Sequence, residues 1–397
     1  MIFIICEYTI FSFSYLAATA IISVYLAEFL HFNAGVIGAI LMVAAVTSRS
    51  SRILAAPIIN AIPSRQVMPI MCFATALGYF LLSSASNIWL IGFSLFLIGF
   101  GYASNSMYVK ALVAEYQSSK NSLLLRYAGL NVCFNIAAAL APLFSTYVFT
   151  HIGPQSPFFI SSLILFGATP LAYFFHSSST VLTPQVGLWY SFKKHLANKR
   201  LNSLFLLTIL TWMVYAQLGS ALPLYVTVVL NQFDRLGPLL FMNAIIVIVL
   251  SYPLAMFLSR YSVSSNTLLL WGFFLYFFGF GMIIIGGGFI YVTGAVILWT
   301  LGEILMIPAL STFLAEASPP EMRTNTIGLN SIAVGVGEGI GGFIGATTVL
   351  FHNKLHQGNL AFIYIAGIAF LGMLLAFYVR KSCKTLDADA ISNTEEH

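Results

Sequence analysis

Val24-Tyr25-Leu26, with Leu30 four residues on, returns about 200 residues later as Leu224-Tyr225-Val226 with Leu230 in the same place. Two further matches keep nearly the same offset: Gly101 followed by Ala114-Glu115 recurs as Gly302 followed by Ala315-Glu316, and Gly129-Leu130-Asn131 recurs as Gly328-Leu329-Asn330. Apolar segments draw on a small alphabet, so one such match means little. Three in the same order, at about half the chain length, point to two copies of one unit. Each copy holds six apolar runs of the length that crosses a bilayer, about 20 residues. The first six fall near 4–29, 35–60, 66–84, 88–113, 123–150 and 156–176. The second six fall near 201–230, 238–259, 266–285, 289–315, 325–350 and 360–380.

The expected fold is therefore an all-α membrane protein, with twelve transmembrane helices in two pseudo-symmetric six-helix bundles. The N-terminal bundle covers 1–176 and the C-terminal bundle 201–380, with a linker at 177–200 and a tail at 381–397 that is expected to be disordered. Composition excludes a soluble fold: 59% of residues are hydrophobic and 7% charged, against about a quarter charged in soluble domains. The first segment lacks a basic leader region, so it is read as the first helix rather than a signal peptide.

The net charge of +5 is explained by topology. Arg65, Lys120, the cluster from Lys193 to Arg200, Arg260 and Arg323 fall in even-numbered loops, and Arg380, Lys381 and Lys384 lie at the C-terminus. The odd-numbered loops hold only Arg235 and Lys354. Excess Lys and Arg mark the cytoplasmic side, which places both termini there in a multi-pass protein of the cell membrane and implies no nucleic acid partner. The four cysteines are scattered, and His352 and His356 stand without a Glu between them in metalloprotease spacing, so no metal is expected. No phosphate-binding Gly-Lys-Ser/Thr loop or nucleophile elbow appears, so no cofactor and no enzymatic activity are expected.

Parallel six-helix repeats with solute held between them resemble the major facilitator superfamily. Within it, three stretches are most similar to the drug:proton antiporter-like exporters. Thr300-Leu301-Gly302-Glu303 with Pro308 resembles that group's Thr-x-Gly-Glu run. Ala315 to Arg323 resembles the polar exit after the same helix. Asn135 with Ala138, Ala141 and Pro142 resembles the antiporter motif of helix 5. Other positions depart from the pattern: Asn60 stands where the loop between helices 2 and 3 has Asp, the stretch 95–101 lacks an arginine, and Ala141 stands where glycine is usual before proline. The resemblance implies a small-molecule substrate, protons as the coupling ion, a lipid environment and a monomer.

Ionisable side chains inside a span must face protein or a wet cavity, because exposing them to lipid costs at least ~2.5 kcal/mol. Glu303, on a helix that the resemblance places along the central cavity, is the leading proton-binding or substrate-binding candidate. Glu338, within Gly335-Val336-Gly337-Glu338-Gly339, must face a cavity or a close partner. Arg49 and Arg52 share one helical face. They either snorkel to the headgroups, pair with a carboxylate or anchor an anionic solute. Tyr102, Asn105, Trp212, Tyr215, Gln217 and Trp299 suggest, as a group, a partly polar pocket for a solute larger than an inorganic ion. Glu7, Glu28 and Lys110 are read as interfacial. Asn135, Ala141 and Pro142, with Gly335, Gly339 and Gly342, supply close-approach faces for packing and gating. The expected function is secondary active transport of a small organic solute, led by proton-coupled efflux of drugs or amphipathic compounds. The alternatives are a metabolite permease (sugar or amino-acid uptake, or siderophore export) and a non-transporting sensor.

Overall fold

The computed structural model describes residues 2–115, 120–174, 199–261, 263–317 and 323–395. Twelve helices among them are long and apolar enough to cross a membrane. The first six are α1 (Ile2–Val24), α2 (Ala34–Ala61), α3 (Ser64–Ser84), α4 (Ile88–Glu115), α5 (Lys120–His151) and α6 (Ser156–Phe174). The second six are α7 (Lys199–Tyr215), α8 (Leu236–Arg260), α9 (Ser265–Gly286), α10 (Phe289–Ala317), α11 (Arg323–Lys354) and α12 (Ala361–Glu395). The seventh span continues past α7 through irregular helical turns to Val229. Nearly all of the expected linker lies outside the described residues. The tail, in contrast, is not irregular: α12 runs on to Glu395. No Gly or Pro interrupts 381–395, and extending an existing helix avoids the cost of nucleation.

The repeated tripeptide has a structural reason. After Val24 and again after Leu224 the helix widens into a π turn, Tyr25–Phe29 and Tyr225–Val229. Each turn is closed by the same backbone bonds: Leu30 to Tyr25 at 3.1 Å and Phe32 to Leu26 at 3.1 Å, then Leu230 to Tyr225 at 3.0 Å and Gln232 to Val226 at 2.9 Å. The residue between takes the left-handed conformation that ends helices, with φ of 53° at His31 and 54° at Asn231. Each tyrosine then ties its span to the end of another helix. Tyr25 donates to the Leu82 carbonyl of α3 at 3.4 Å, and Tyr225 to the Gly287 carbonyl that ends α9 at 2.6 Å.

The second repeat is a pair of backbone contacts. A Cβ on Gly101 would sit 2.9 Å from the Met71 carbonyl, and one on Gly302 3.0 Å from the Gly272 carbonyl. Gly101 thus lets α4 lie on α3 as Gly302 lets α10 lie on α9. Small residues give such close approach where helices cannot gain from excluding water.

Among the described residues, three seams join the bundles. Along α2 and α11, Gly335 packs on Arg49 and Val46, Gly339 on Met42 and Val46, and Gly342 on Leu41. Between α5 and α8, Gly237 lies on the Pro142 carbonyl, the Phe149 and Phe233 rings are 4.7 Å apart, and Thr150 donates to Asp234 at 3.4 Å. Between the first and seventh spans, Ser23 donates to the Gly219 carbonyl at 3.2 Å. The contacts of Ser23, Phe149 and Thr150 lie toward the face opposite the chain termini.

On its other side α11 packs against α7, and there glycine is obligatory. A Cβ on Gly341 would lie 2.5 Å from the Met213 carbonyl, whereas the neighbour nearest a Cβ on Gly342 is 3.6 Å away. Gly341→Ala should therefore lower the apparent Tm by an amount equivalent to about 1–3 kcal/mol. Gly342→Ala should be neutral or slightly stabilising, since alanine is the better helix former by about 1 kcal/mol. Parallel melts of the two variants in detergent check the order.

Candidate functional site

The glycines flanking Glu338 decide where its charge goes. Gly335 and Gly339 face α2, while Gly337 lies on the Ile209 carbonyl and Trp212 of α7. Glu338 is therefore wedged at a seam between bundles, and Arg49 of α2 meets it there. Arg49 Nε donates to Glu338 Oε2 at 2.8 Å, and Nη2 donates to Oε1. The guanidinium carbon also stands 5.0 Å from the centroid of the Trp212 ring. The two side chains are 22% and 19% exposed, so the pair is mostly desolvated yet open on one side. Arg49 is thus held in an ion pair with a carboxylate of the other bundle. The side chain of Arg52 lies outside the described residues.

Aromatics extend this centre into both bundles. The Tyr15 and Tyr102 rings, from α1 and α4, stack at 3.8 Å with planes 1° apart, within electrostatic reach of Arg49. Trp212 and Tyr215, one turn apart on α7, meet edge to face at 4.9 Å. Tyr215 in turn lies within electrostatic reach of Glu303, Glu338 and Arg49. Three spans from each bundle thus contribute to one centre: α1, α2 and α4 with α7, α10 and α11.

Glu303, on α10, has a neutral amide as its partner: Asn243 Nδ2 of α8 stands 3.4 Å from Oε2 and also donates to Thr300 Oγ1 at 2.8 Å. The carboxylate lines a cavity of about 370 Å³ between α8, α9 and α10, whose wall is otherwise apolar apart from the hydroxyls of Ser251, Ser265 and Thr312. Asn243 was not among the expected residues. An amide alone in the apolar run of α8 was the signal available.

Other expected residues lie elsewhere. Trp299 is buried within the C-terminal bundle, packed on Phe280 at 4.8 Å and near Tyr276 and Phe362, so it belongs to the core rather than a cavity. Gln217 is buried too, its amide donating to the carbonyls of Met213 at 2.7 Å and Gly341 at 2.9 Å, which fixes α7 to α11. Asn105 is buried against Glu7 at 2.9 Å. Glu7 is 3% exposed and so sits in the bundle interior, not at the interface expected from its place near the helix start. Ala141 and Pro142 lie buried at the α5–α8 seam, while Asn135 bonds to the Asn131 carbonyl of its own helix.

The profile of the Major Facilitator Superfamily matches residues 4–342. The chain belongs to this superfamily of transporters. A curated relative, the uncharacterized MFS-type transporter YqjV of Bacillus subtilis (strain 168), is 23% identical over 332 residues, covering 80% of this chain and 78% of that protein. Among solved structures, a POT family transporter crystallised with a thioalcohol-conjugated peptide superposes with a TM-score of 0.80 at 14% identity, covering 96% of both chains. The nucleoside transporter NupG superposes with a TM-score of 0.79 at 13% identity, covering 95% of this chain and 99% of that one. At these identities the likeness shows the fold, with its multi-pass membrane architecture, and leaves the solute to the site.

Proposed function

We propose that this transporter exports drugs or other amphipathic organic compounds in exchange for protons, by alternating access between the two bundles. The observation that carries this reading is Glu303: a carboxylate whose partner is a neutral amide, on the wall of a largely apolar cavity. Such a wall takes up the apolar body of a solute, and the carboxylate takes a cationic group or a proton. The contacts of Ser23 with Gly219 and of Thr150 with Asp234 support a conformation closed at the face opposite the termini. With the termini in the cytoplasm of a cell-membrane monomer, that face is external. The rocking bodies are then 1–176 and 201–380, joined by 177–200.

A second reading, uptake or release of a zwitterionic metabolite such as an amino acid, is favoured by Arg49 and Glu338. Together they offer both signs of charge beside Trp212. Thermal unfolding of purified protein against drugs, sugars, amino acids and siderophores, at two pH values, separates the readings. A true solute at a hundredfold excess over its Kd stabilises the folded state by ~2.7 kcal/mol. The expected hits are lipophilic cations, with cellular accumulation of those compounds falling when the protein is produced. Hits confined to amino acids, sugars or siderophores would replace export of amphipathic compounds with the permease reading.

A further inference from the structure

Glu7 has no part in the centre described above, yet it is the more deeply buried carboxylate. It lies in the second turn of α1, 3% exposed, beside the apolar cluster of Ile4, Tyr8, Met68, Met71, Tyr108 and Val109. Asn105 of α4, 1% exposed, donates Nδ2–H to Glu7 Oε1 at 2.9 Å. The other oxygen of each group, Glu7 Oε2 and Asn105 Oδ1, is buried without a hydrogen-bond partner. Two acceptor oxygens on side chains already joined, both shut away from water, share one deficit: neither has a hydrogen to accept. Leaving such atoms unsatisfied costs about 1–3 kcal/mol each, more when one is charged.

Among the described residues, the charged groups on the surrounding helices do not supply that hydrogen. Arg65 of α3 is exposed and lies over the Tyr173 ring of α6 at 4.6 Å, and Lys110 of α4 is exposed. The Cys72 thiol of α3, within electrostatic reach of Glu7, donates to the Leu165 carbonyl at 3.3 Å. The other titratable groups with described side chains on these elements are Cys6, Tyr8 and Tyr15 of α1, Tyr79 of α3, Tyr102 and Tyr108 of α4, and Cys133, Tyr147 and His151 of α5; Tyr8 and Tyr108 are buried, Cys6 is exposed and Cys133 is half-buried.

We propose that Glu7 and Asn105 form a proton-binding site inside the N-terminal bundle, in which a proton on the Glu7 carboxyl completes an acid–amide pair. The acid carbonyl accepts from the Asn105 amide and the acid hydroxyl donates to the Asn105 carbonyl, so that both orphaned oxygens are satisfied by one proton. Proton uptake neutralises the carboxylate, and its loss returns a charged group held by a single hydrogen bond from the Asn105 amide. The site rests on the transport reading only for its use, since it would give the N-terminal bundle a proton site separate from Glu303. Its existence can be tested without transport.

Infrared difference spectroscopy on full-length purified protein in lipid is the measurement. A protonated carboxyl has a C=O stretching band that a carboxylate lacks, and the band moves down when the O–H exchanges to O–D. At neutral pH the wild-type protein is expected to show such a band, shifted in D2O, present in Glu303→Gln and missing from Glu7→Gln. Glutamine keeps the geometry, because its amide can donate to Asn105 Oδ1 and its carbonyl can accept from Nδ2, so the variant should fold. Asn105→Leu supplies a second check: it should move the band by removing the amide partner. A wild-type spectrum whose protonated-carboxyl bands are untouched by Glu7→Gln and Asn105→Leu, or do not shift in D2O, overturns the site. That result would leave the export reading standing, and failure to find an exported solute would leave the band in place.

Discussion

Glu338→Ala is expected to destabilise the protein more than the double replacement Arg49→Ala/Glu338→Ala. The single variant leaves the Arg49 guanidinium about one-fifth exposed, with Gly335 beneath its stem and its carboxylate partner gone. Removing one partner of a buried ion pair costs roughly 3–5 kcal/mol, because the remaining charge stays desolvated, whereas removing both is often nearly neutral. One side of this pair is open, so the lower end of that range applies, and the Trp212 face offers Arg49 partial compensation through its π electrons. The double variant loses the bidentate bond but strands no charge. Arg49→Ala alone should cost at least as much as Glu338→Ala, since the carboxylate it leaves has no aromatic face to rest on. Melting curves of the four proteins in one detergent, analysed as a double-mutant cycle, read the coupling. Additive losses would mean that the ion pair contributes nothing to holding the bundles together. Because α2 and α11 belong to different bundles, the same replacements should alter how often the bundles separate. Both single variants are therefore expected to lose transport at protein levels where the wild type is active.

The parts of the fold that the sequence displayed were those set by bilayer thickness and by backbone contact. Spans announce themselves because every helix must be apolar for about 20 residues, and apart from the end of α12 the expected limits fell within a few residues of the helices found, as at 238–259 against Leu236–Arg260. The repeats at Tyr25/Tyr225 and Gly101/Gly302 were legible for a stricter reason. Each position has one residue type that its geometry accepts: a hydroxyl to reach a helix end, or no Cβ where a carbonyl passes. Pairing between spans was not legible. Nothing in the order of residues says that Arg49 would find Glu338 across 289 positions, and the same pattern suited snorkelling to headgroups equally well. Burial within a span was harder still. Glu7 and Trp299 have neighbours in sequence no different from those of interfacial or cavity-facing residues, and only the packing of α4 on α1, and of α9 and α12 on α10, encloses them. The tail shows the opposite limit: its charges suggested disorder, while the helix ahead of it carried the backbone on.

Glu303→Gln is expected to abolish transport driven by a proton gradient while leaving the protein folded and able to bind its solute. Folding should survive because the partner at Oε2 is a donor: Asn243 Nδ2 can donate to a glutamine carbonyl as it does to the carboxylate, and its second bond, to Thr300 Oγ1, is untouched. The substitution changes almost no volume, so the cavity between α8, α9 and α10 keeps its shape. What disappears is the ability to exist in two charge states, and a group that cannot exchange a proton cannot convert a proton gradient into solute movement. Exchange of labelled for unlabelled solute across a vesicle membrane, which needs no net proton movement, should persist. Accumulation against a gradient in the same vesicles should fall to background. Asn243→Leu should act differently: it strands the carboxylate without its donor, so exchange and gradient-driven flux should weaken together, with a lower apparent Tm. The assignment would be overturned by a Glu303→Gln protein that still concentrates solute when a pH gradient is imposed. Loss of exchange and of binding together would instead make Glu303 a solute ligand, with proton transfer assigned to another carboxylate. The difference between these outcomes follows from one physical fact, that the amide keeps the hydrogen-bond acceptor of the carboxylate but neither its charge nor its proton.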